Sequence, residues 1–208
     1  MNILIFGASG ATGRHLVSQA LSQEHFVSAF VRNPSKLPFD TDRIKVFQGD
    51  VAEADRVEAA VNDQDAVLSA LGASSPFSRD FKLTSGVQNI VSAMRRRNVN
   101  RFIYQSFLGV KENRNELGFF TDKILPIVLR SVILDHEARE RIIMQSGLRW
   151  TIVRCAMLTN GPFTGMYSTG EHLTSPSLVP SVSRADVANF MLWQLSDNAY
   201  ACGKPRIM

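Results

Sequence analysis

The feature that most constrains the fold is an apolar segment that runs into closely spaced glycines at the start of the chain. Asn2–Phe6 is apolar, and apolar residues recur at helical spacing after the glycines. This order predicts a strand, a tight turn and a helix. Glycines let the backbone approach a phosphate closely, and the start of the helix presents free N–H groups to it. The residues expected to bind a pyrophosphate here are Gly7, Ser9, Gly10, Ala11, Thr12 and Gly13.

The rest of the chain alternates predicted strands with predicted helices. Strands are expected at Phe26–Val31, 44–47, 66–71, 101–105 and 150–153. Helices are expected around Val57, over 87–97, over about 129–146 with Gly147 as the C-cap, and after a capping Ser183. Regular alternation of this kind indicates repeated βαβ units. The sequence therefore predicts an α/β fold with a doubly wound parallel sheet (a Rossmann fold) in a single domain, residues 1–208.

Composition and charge narrow the function classes. Hydrophobic residues make up 45% of the 208 residues and charged residues 20%, which is typical of a soluble globular domain. A net charge of +4 favours anionic ligands but is too small to indicate a nucleic-acid partner. Two cysteines without metal-ligand spacing predict no metal site. The absence of a long apolar segment and of a signal peptide predicts a cytoplasmic protein that does not bind membranes, and we expect a monomer or weak homodimer.

The residues after the second strand indicate which nucleotide is preferred. NAD sites place an acidic residue near the end of that strand, where it binds the ribose 2′-hydroxyl. Here the strand ends in Val31 and Arg32, whereas Glu24 precedes it and Asp40 lies well past it. Arg32 is placed to bind a 2′-phosphate, and Lys36 can assist. The predicted cofactor is therefore NADP(H).

Several short segments together resemble a known family. In their order and spacing they are similar to the atypical short-chain dehydrogenase/reductase group that contains NmrA-like proteins and flavin reductases of the biliverdin reductase B type. The matching segments are 7–13, 31–37, 49–51, 70–72, 105–106, 146–148, 150–154 and 183–188.

The resemblance implies roles for individual residues. It implies that Asp50 and Val51 flank the adenine, and that Leu71 and Gly72 line the adenosine side of the site. Ser106, after the fifth strand, would lie near the nicotinamide.

The resemblance also points to Asp135 and His136, since an Asp-His pair stands in this region of the biliverdin reductase B branch. There the histidine approaches cofactor and substrate, so Ser106 and His136 are the candidate catalytic residues. We expect His136 to have a near-neutral pKa and to stabilise an anion or donate a proton. Arg184 and Asp186 resemble a structural motif that anchors the last helix.

The sequence departs from typical short-chain dehydrogenases where their catalytic acid stands. Those enzymes use Tyr-x-x-x-Lys on the helix after the catalytic serine. Tyr200 and Lys204 have this spacing, but Gly203 and Pro205 disfavour a helix there, so we interpret the spacing as coincidence. Cys155 stands where the family that the chain resembles usually has a proline, and we interpret it as a small buried residue that fills space in the core.

Residues 159–182 are rich in glycine, proline and hydroxyl side chains and are predicted to form a substrate-side loop or lid. Its apolar and aromatic side chains include Phe163, Met166 and Tyr167, which suit a planar conjugated acceptor. The leading hypothesis is an NADPH-dependent reductase that passes hydride to a small-molecule acceptor such as a flavin, quinone or tetrapyrrole-like compound. The alternative is a non-catalytic NADP(H)-binding redox sensor of NmrA-like type.

Overall fold

The computed structural model describes residues 1–39, 42–72, 79–110, 129–175, 177 and 179–208. Its strands are β1 Asn2–Phe6, β2 Phe26–Val31, β3 Ile44–Gln48, β4 Ala66–Ser69, β5 Arg101–Phe107, β6 Arg149–Cys155, β7 Met157–Thr159, β8 Thr169–Gly170, β9 Ser181–Ser183 and β10 Arg206–Ile207. Its helices are α1 Ala11–Ser22, α2 Ala54–Val61, α3 Phe81–Arg96, α4 Arg130–Met144 and α5 Arg184–Trp193.

Eight of the ten described strands form one large sheet in the order β3-β2-β1-β4-β5-β6-β10-β8, and β7 and β9 pair separately. All neighbours are parallel except β8, which runs antiparallel to β10 at the edge. The strand order proceeds outward in both directions from β1 and β4. Because the connections diverge there, a crevice opens at the carboxyl ends of these two strands, where sheets of this kind bind ligands. The predicted doubly wound parallel sheet is confirmed.

Helices cover both faces of the sheet. On one face α1 packs against α5, and on the other α3 packs against both α2 and α4. Alternate residues of each strand supply the two cores: Ile103 of β5 joins the first, and Phe102 and Tyr104 join the second. Most strand side chains are apolar because both faces of a parallel sheet are buried.

Several predicted boundaries differ from the structure: β5 and β6 are longer than expected, and α3 begins earlier, at Phe81. The fourth strand ends at Ser69 and leaves the next two residues in a loop. Helix α4 ends at Met144, before the predicted C-cap at Gly147. Ser146 closes the last turn, because its Oγ donates to the carbonyl oxygen of Ile143 and accepts from the N–H of Leu148. Gly147 provides the positive φ, +73°, that the chain needs just after the helix.

Candidate functional site

The glycine loop between β1 and α1 packs against the end of β4 so closely that side chains are excluded. A Cβ atom on Gly7 would lie 2.7 Å from the carbonyl oxygen of Ala70, and Gly7 also has a φ of +78°. A Cβ atom on Gly13 would lie 1.9 Å from the carbonyl oxygen of Gly7. The N–H of Gly10 donates to that same oxygen at 2.9 Å. The loop is thereby held against β4 and opens onto the crevice between the strands.

The start of α1 presents its backbone to this crevice. Gly10 is the N-cap residue and supplies no side-chain hydrogen bond, and the first turn contains no acidic residue. The N–H groups of the first turn, at Ala11, Thr12 and Gly13, therefore lack helical partners. Free N–H groups at a helix start, together with the helix dipole, form an anion site.

A cavity of about 550 Å³ runs from the glycine loop across the ends of β1, β2 and β4. It brings together most of the residues predicted to bind the cofactor: Gly7, Ser9, Gly10, Arg32, Lys36, Asp50, Val51, Leu71 and Gly72. The predicted residues that do not line it are Ala11, Thr12, Gly13 and Ser106. A Cβ atom on Gly72 would meet no heavy atom of the described residues within 4 Å, so no described side chain fills the space beside this wall.

Two arginines near the Arg32 end of the cavity were missed by sequence reasoning. A second hollow of about 450 Å³ shares Arg32 and Asp50 with the cavity and adds Arg56 together with Glu53. Arg14 donates from Nε to the carbonyl oxygen of Ser9 at 3.1 Å and from Nη2 to that of Lys36 at 3.3 Å. Arg14 thus ties the glycine loop to the segment after β2. Its position one helical turn after Gly10 is the sequence feature from which this contact could have been predicted. Asp40, weighed as an NAD determinant, lies outside the described residues.

The carboxyl end of β5 carries a separate, buried polar cluster. Ser106 Oγ lies 3.2 Å from His136 Nδ1 and donates to Glu140 Oε1 at 2.5 Å. Arg154 pairs with the same carboxylate, with Nη2 at 2.7 Å from Oε2 and Nε at 3.3 Å from Oε1. Ser106, Glu140 and Arg154 are at most 4% exposed. The structure thus brings the two candidate catalytic residues, Ser106 and His136, into contact.

Sheet register and helix periodicity create this cluster. Ser106 and Arg154 lie opposite each other on β5 and β6. His136 and Glu140 are four residues apart on α4 and therefore share one helical face. Glu140 and Arg154 were missed by sequence reasoning. The available signals were a charged residue inside the apolar strand β6 and an acidic residue one helical turn after His136.

The predicted near-neutral pKa of His136 is wrong. Burial, with a smaller contribution from the positive charge of Arg139, lowers the pKa of His136 from 6.5 to about 3. The imidazole is therefore neutral at physiological pH. The carboxylate of Glu140, paired with a guanidinium, can only accept hydrogen bonds. The Ser106 hydroxyl therefore donates its proton to Glu140.

The family model that describes NAD(P)H-binding proteins matches residues 7–198. The chain belongs to this NAD(P)H-binding family.

Two sequence relatives and one solved structure illustrate the range of similar proteins. The 3 beta-hydroxysteroid dehydrogenase/Delta 5-->4-isomerase of Mycobacterium tuberculosis is 28% identical over 199 residues, which cover 89% of this chain and 52% of that protein. The photosystem II assembly factor Ycf39 of Synechocystis is 27% identical over 171 residues, covering 81% and 48%. The chain thus spans about half the length of these curated relatives. The anaerobillin reductase ChuY of Escherichia coli O157:H7 shares the fold at a TM-score of 0.78 and 21% identity, covering 100% of this chain and 97% of that one. The resemblance to the atypical short-chain dehydrogenase/reductase group is confirmed at the level of family and fold.

The cavity of this NAD(P)H-binding chain fits its nucleotide. The glycine loop and the start of α1 would hold the pyrophosphate, and Gly72 leaves the space that a nucleotide needs. Asp50 is fixed in place, because its N–H donates to Glu53 Oε2 at 2.7 Å and its Oδ1 accepts from the N–H of Ala52 at 2.9 Å. Asp50 and Val51 would therefore meet the adenosine part of the nucleotide at a defined wall.

Asp135 connects α4 to the wall of the nucleotide cavity. Its carboxylate accepts from Arg79 Nε at 3.0 Å and from the N–H of Asp80 at 2.6 Å. Asp80 in turn caps α3 by accepting from the N–H of Leu83 at 2.9 Å, and both Asp80 and Leu83 line the cavity. Asp135 therefore has an anchoring role and fixes the start of α3.

Residues 159–182 lie toward the β8 edge of the sheet, and none of those described lines the 550 Å³ cavity. The N–H groups of Thr164 and Gly165 both donate to Asp186 Oδ1 at 2.9 Å. Burial alone would raise the pKa of Asp186, but hydrogen bonds from this loop and from Ser183 outweigh it and lower the pKa. Arg184 Nη1 donates to Asn160 Oδ1 at 2.7 Å. Arg184 and Asp186 thus anchor this loop to α5, which confirms their structural role.

The other residues that the sequence singled out as candidates have structural roles. Tyr200 and Lys204 lie in the turn before β10, where the Tyr200 carbonyl oxygen accepts from Thr151 near the amino end of β6, opposite the Ser106 end. Cys155 is 1% exposed, and burial raises the pKa of its thiol, as expected for a residue that fills space in the core.

Within the described ranges, no cluster of three His, Cys, Asp or Glu side chains could hold a metal ion. Every described helix is too short or too polar to cross a membrane.

Proposed function

We propose that this chain is an NADPH-dependent reductase that transfers hydride to a planar conjugated acceptor of the flavin, quinone or tetrapyrrole-like class. The observation that carries the proposal is the lack of a positioned acid at the β5 cluster. Ser106 donates its proton to Glu140, and burial keeps His136 in its uncharged form, so neither side chain is an acid for a substrate carbonyl.

Acceptor chemistry follows from this proton arrangement. NADPH, when bound, supplies the hydride. A simple ketone also needs a proton from a positioned acid as its alkoxide forms. A conjugated acceptor spreads the added charge over its ring system and takes its proton from water. The name of the fold neighbour ChuY, an anaerobillin reductase, supports the tetrapyrrole-like class.

The preference for NADP(H) over NAD(H) rests on charge. Arg32 and Lys36 line the same cavity as the glycine loop. A guanidinium can bind a 2′-phosphate with two hydrogen bonds. Both positions lie just after β2, where an NAD site would present an acidic residue.

The test is NADPH oxidation with a flavin, a quinone and a simple ketone. We expect turnover with at least one conjugated acceptor and little with the ketone. Ser106→Ala should lower turnover about ten- to a hundredfold, because His136 loses the group that orients it. Tyr200→Phe is the matched control and should keep full turnover. An inactive Tyr200→Phe variant, or a strong preference for the ketone, would contradict the proposal.

The same assay decides the second candidate function, a non-catalytic NADP(H)-binding regulator. The relative Ycf39, named as an assembly factor, supports it. A wild-type protein that binds NADPH but oxidises it with none of the acceptors would favour this role.

A further inference from the structure

One cation that lines the nucleotide cavity has no role so far: Lys82, in the first turn of α3. Lys82 is exposed and lines the same 550 Å³ cavity as the glycine loop, Asp50 and Val51. Among the described residues, its ammonium group makes no hydrogen bond and no ion pair. The group is therefore free to bind a ligand that enters the cavity.

The packing of α3 places Lys82 beside the wall that Val51 forms. A Cβ atom on Gly86 would lie 2.4 Å from Val51 Cγ2, so the helix touches this wall directly. Asn89 Nδ2 donates to the carbonyl oxygens of Val51 and Ala52 at 2.9 and 3.2 Å. Lys82, Gly86 and Asn89 follow one another at spacings of four and three residues and therefore share one helical face. Lys82 thus lies one turn, about 6 Å along the axis, before the contact with Val51.

The backbone that carries Lys82 is held on both sides. Asp80 Oδ1 accepts from the N–H of Leu83 at 2.9 Å, and the N–H of Asp80 donates to Asp135 Oδ2 at 2.6 Å. Leu83 is 6% exposed and lines the cavity next to Lys82. The flexible stem of the lysine therefore extends from a fixed helix start into the cavity.

Lys82 and Asp50 offer the cavity opposite kinds of hydrogen-bonding group. An ammonium group can only donate, and an ionised carboxylate can only accept. Asp50 Oδ1 is occupied by the N–H of Ala52, whereas Oδ2 makes no hydrogen bond to a described residue. One edge of adenine matches this pair, because its 6-amino group donates and the neighbouring N1 accepts. Hypoxanthine reverses both roles, since its O6 accepts and its N1–H donates.

We propose that Lys82 recognises the base of the bound nucleotide, donating from its ammonium group to adenine N1 while the Asp50 carboxylate accepts from the 6-amino group. The inference rests on the proposed function, because it adds a specificity-determining residue to the nucleotide site of that reductase. Neither contact involves the 2′-phosphate, so Lys82 acts independently of Arg32 and Lys36.

The experiment compares the affinities of the protein for NADP⁺ and for its hypoxanthine analogue by calorimetric titration. The analogue lacks both hydrogen bonds, so we expect the wild type to bind it about a hundredfold more weakly, about tenfold for each contact. Lys82→Met removes the contact with N1 and should reduce the preference to about tenfold. Lys82→Arg keeps a donor and should retain most of the preference.

Lys45→Met is the matched control. It makes the same change of charge at an exposed position of β3 that does not line the cavity, where Lys45 Nζ lies 4.9 Å from the centre of the Phe47 ring. The control should retain the wild-type preference for adenine.

Equal wild-type affinity for NADP⁺ and the analogue would overturn the inference. An unchanged preference in Lys82→Met would also overturn it, and equal weakening of both nucleotides would then assign Lys82 to the ribose or phosphate groups. A protein that binds NAD⁺ more tightly than NADP⁺, or that oxidises NADPH with no acceptor, would contradict the proposed function alone, because NAD⁺ and its hypoxanthine analogue allow the same comparison of bases.

Discussion

Lowering the pH should destabilise the fold through His136, and a single substitution isolates this effect. Burial lowers the pKa of His136 to about 3, whereas the unfolded chain has the ordinary value of 6.5. Between these values the unfolded chain binds a proton that the folded chain excludes. The free energy of unfolding must therefore fall as the pH falls from about 7 toward about 3, and this group affects it little at pH values well above 6.5.

The size of the effect follows from the two pKa values. One pH unit between them is worth about 1.36 kcal/mol. At pH 5 the unfolded imidazole is almost fully protonated and the folded one almost fully neutral, so the loss relative to neutral pH is about 2 kcal/mol. At pH 6 the loss relative to neutral pH is only about 0.7 kcal/mol, since the unfolded imidazole is then only partly charged.

The assay compares urea unfolding of the wild type and His136→Asn at pH 7 and pH 5. Asparagine keeps an N–H for Ser106 but does not titrate. Carboxylates such as Asp186 titrate in both proteins, so their effects cancel in the difference. We expect the wild type to lose about 2 kcal/mol more than the variant on acidification. Equal losses in the two proteins would refute the lowered pKa of His136.

Two further predictions concern the nucleotide cavity. Arg32→Ala should weaken NADP(H) binding about ten- to a hundredfold and change NAD(H) binding little. The control Arg95→Ala, at the end of α3, should change the affinity for neither nucleotide. Calorimetric titration measures these affinities, and equal wild-type affinity for both nucleotides would contradict the charge argument. Gly10→Val should abolish NADPH binding. It should also lower Tm modestly, because the added Cβ would lie 3.1 Å from the carbonyl oxygen of Gly7. Gly72→Val should block binding without lowering Tm, because its Cβ would meet no described atom within 4 Å. NADPH fluorescence that persists in the folded Gly72→Val variant would show that the nucleotide does not occupy this cavity.

The β1–α1 unit could be predicted from the sequence because its glycines are required by the local backbone conformation. Gly7 needs a positive φ, and Gly13 must allow close contact with the loop backbone. Since glycine is favoured at such positions, the spacing of the glycines in the sequence indicates the turn. The alternation of strands and helices was predictable for a similar reason, since burial on two faces leaves apolar segments of recognisable length. The residues that line the cavity could be predicted from the order of the strands, because the carboxyl ends of parallel strands meet at one edge of the sheet.

The short strands and the buried charges were not predictable in this way. Strands β8 and β10 have two residues each, and their pairing depends on contacts between distant segments. The pairing of Glu140 with Arg154 depends on how α4 is rotated against β6, which sequence periodicity does not specify. The pKa of His136 was wrong for the same reason, because burial is a property of the assembled fold.

Helix α4 has a composition that stability alone does not favour, and this supports a functional role for its inner face. Asp135, Arg139 and Glu140 are all buried there. Arg139 Nη1 and the hydroxyl of Tyr104, both fully buried, have no hydrogen-bond partner among the described residues, and each such atom costs about 1–3 kcal/mol. Apolar residues at these positions would remove that cost. Their retention is consistent with the positions of the charges: Asp135 fixes the wall of the nucleotide cavity, and Glu140 fixes Ser106 and His136. One helix thus holds the wall of the cavity and the β5 cluster in a defined relation, which the proposed hydride transfer between a nicotinamide and its acceptor would require.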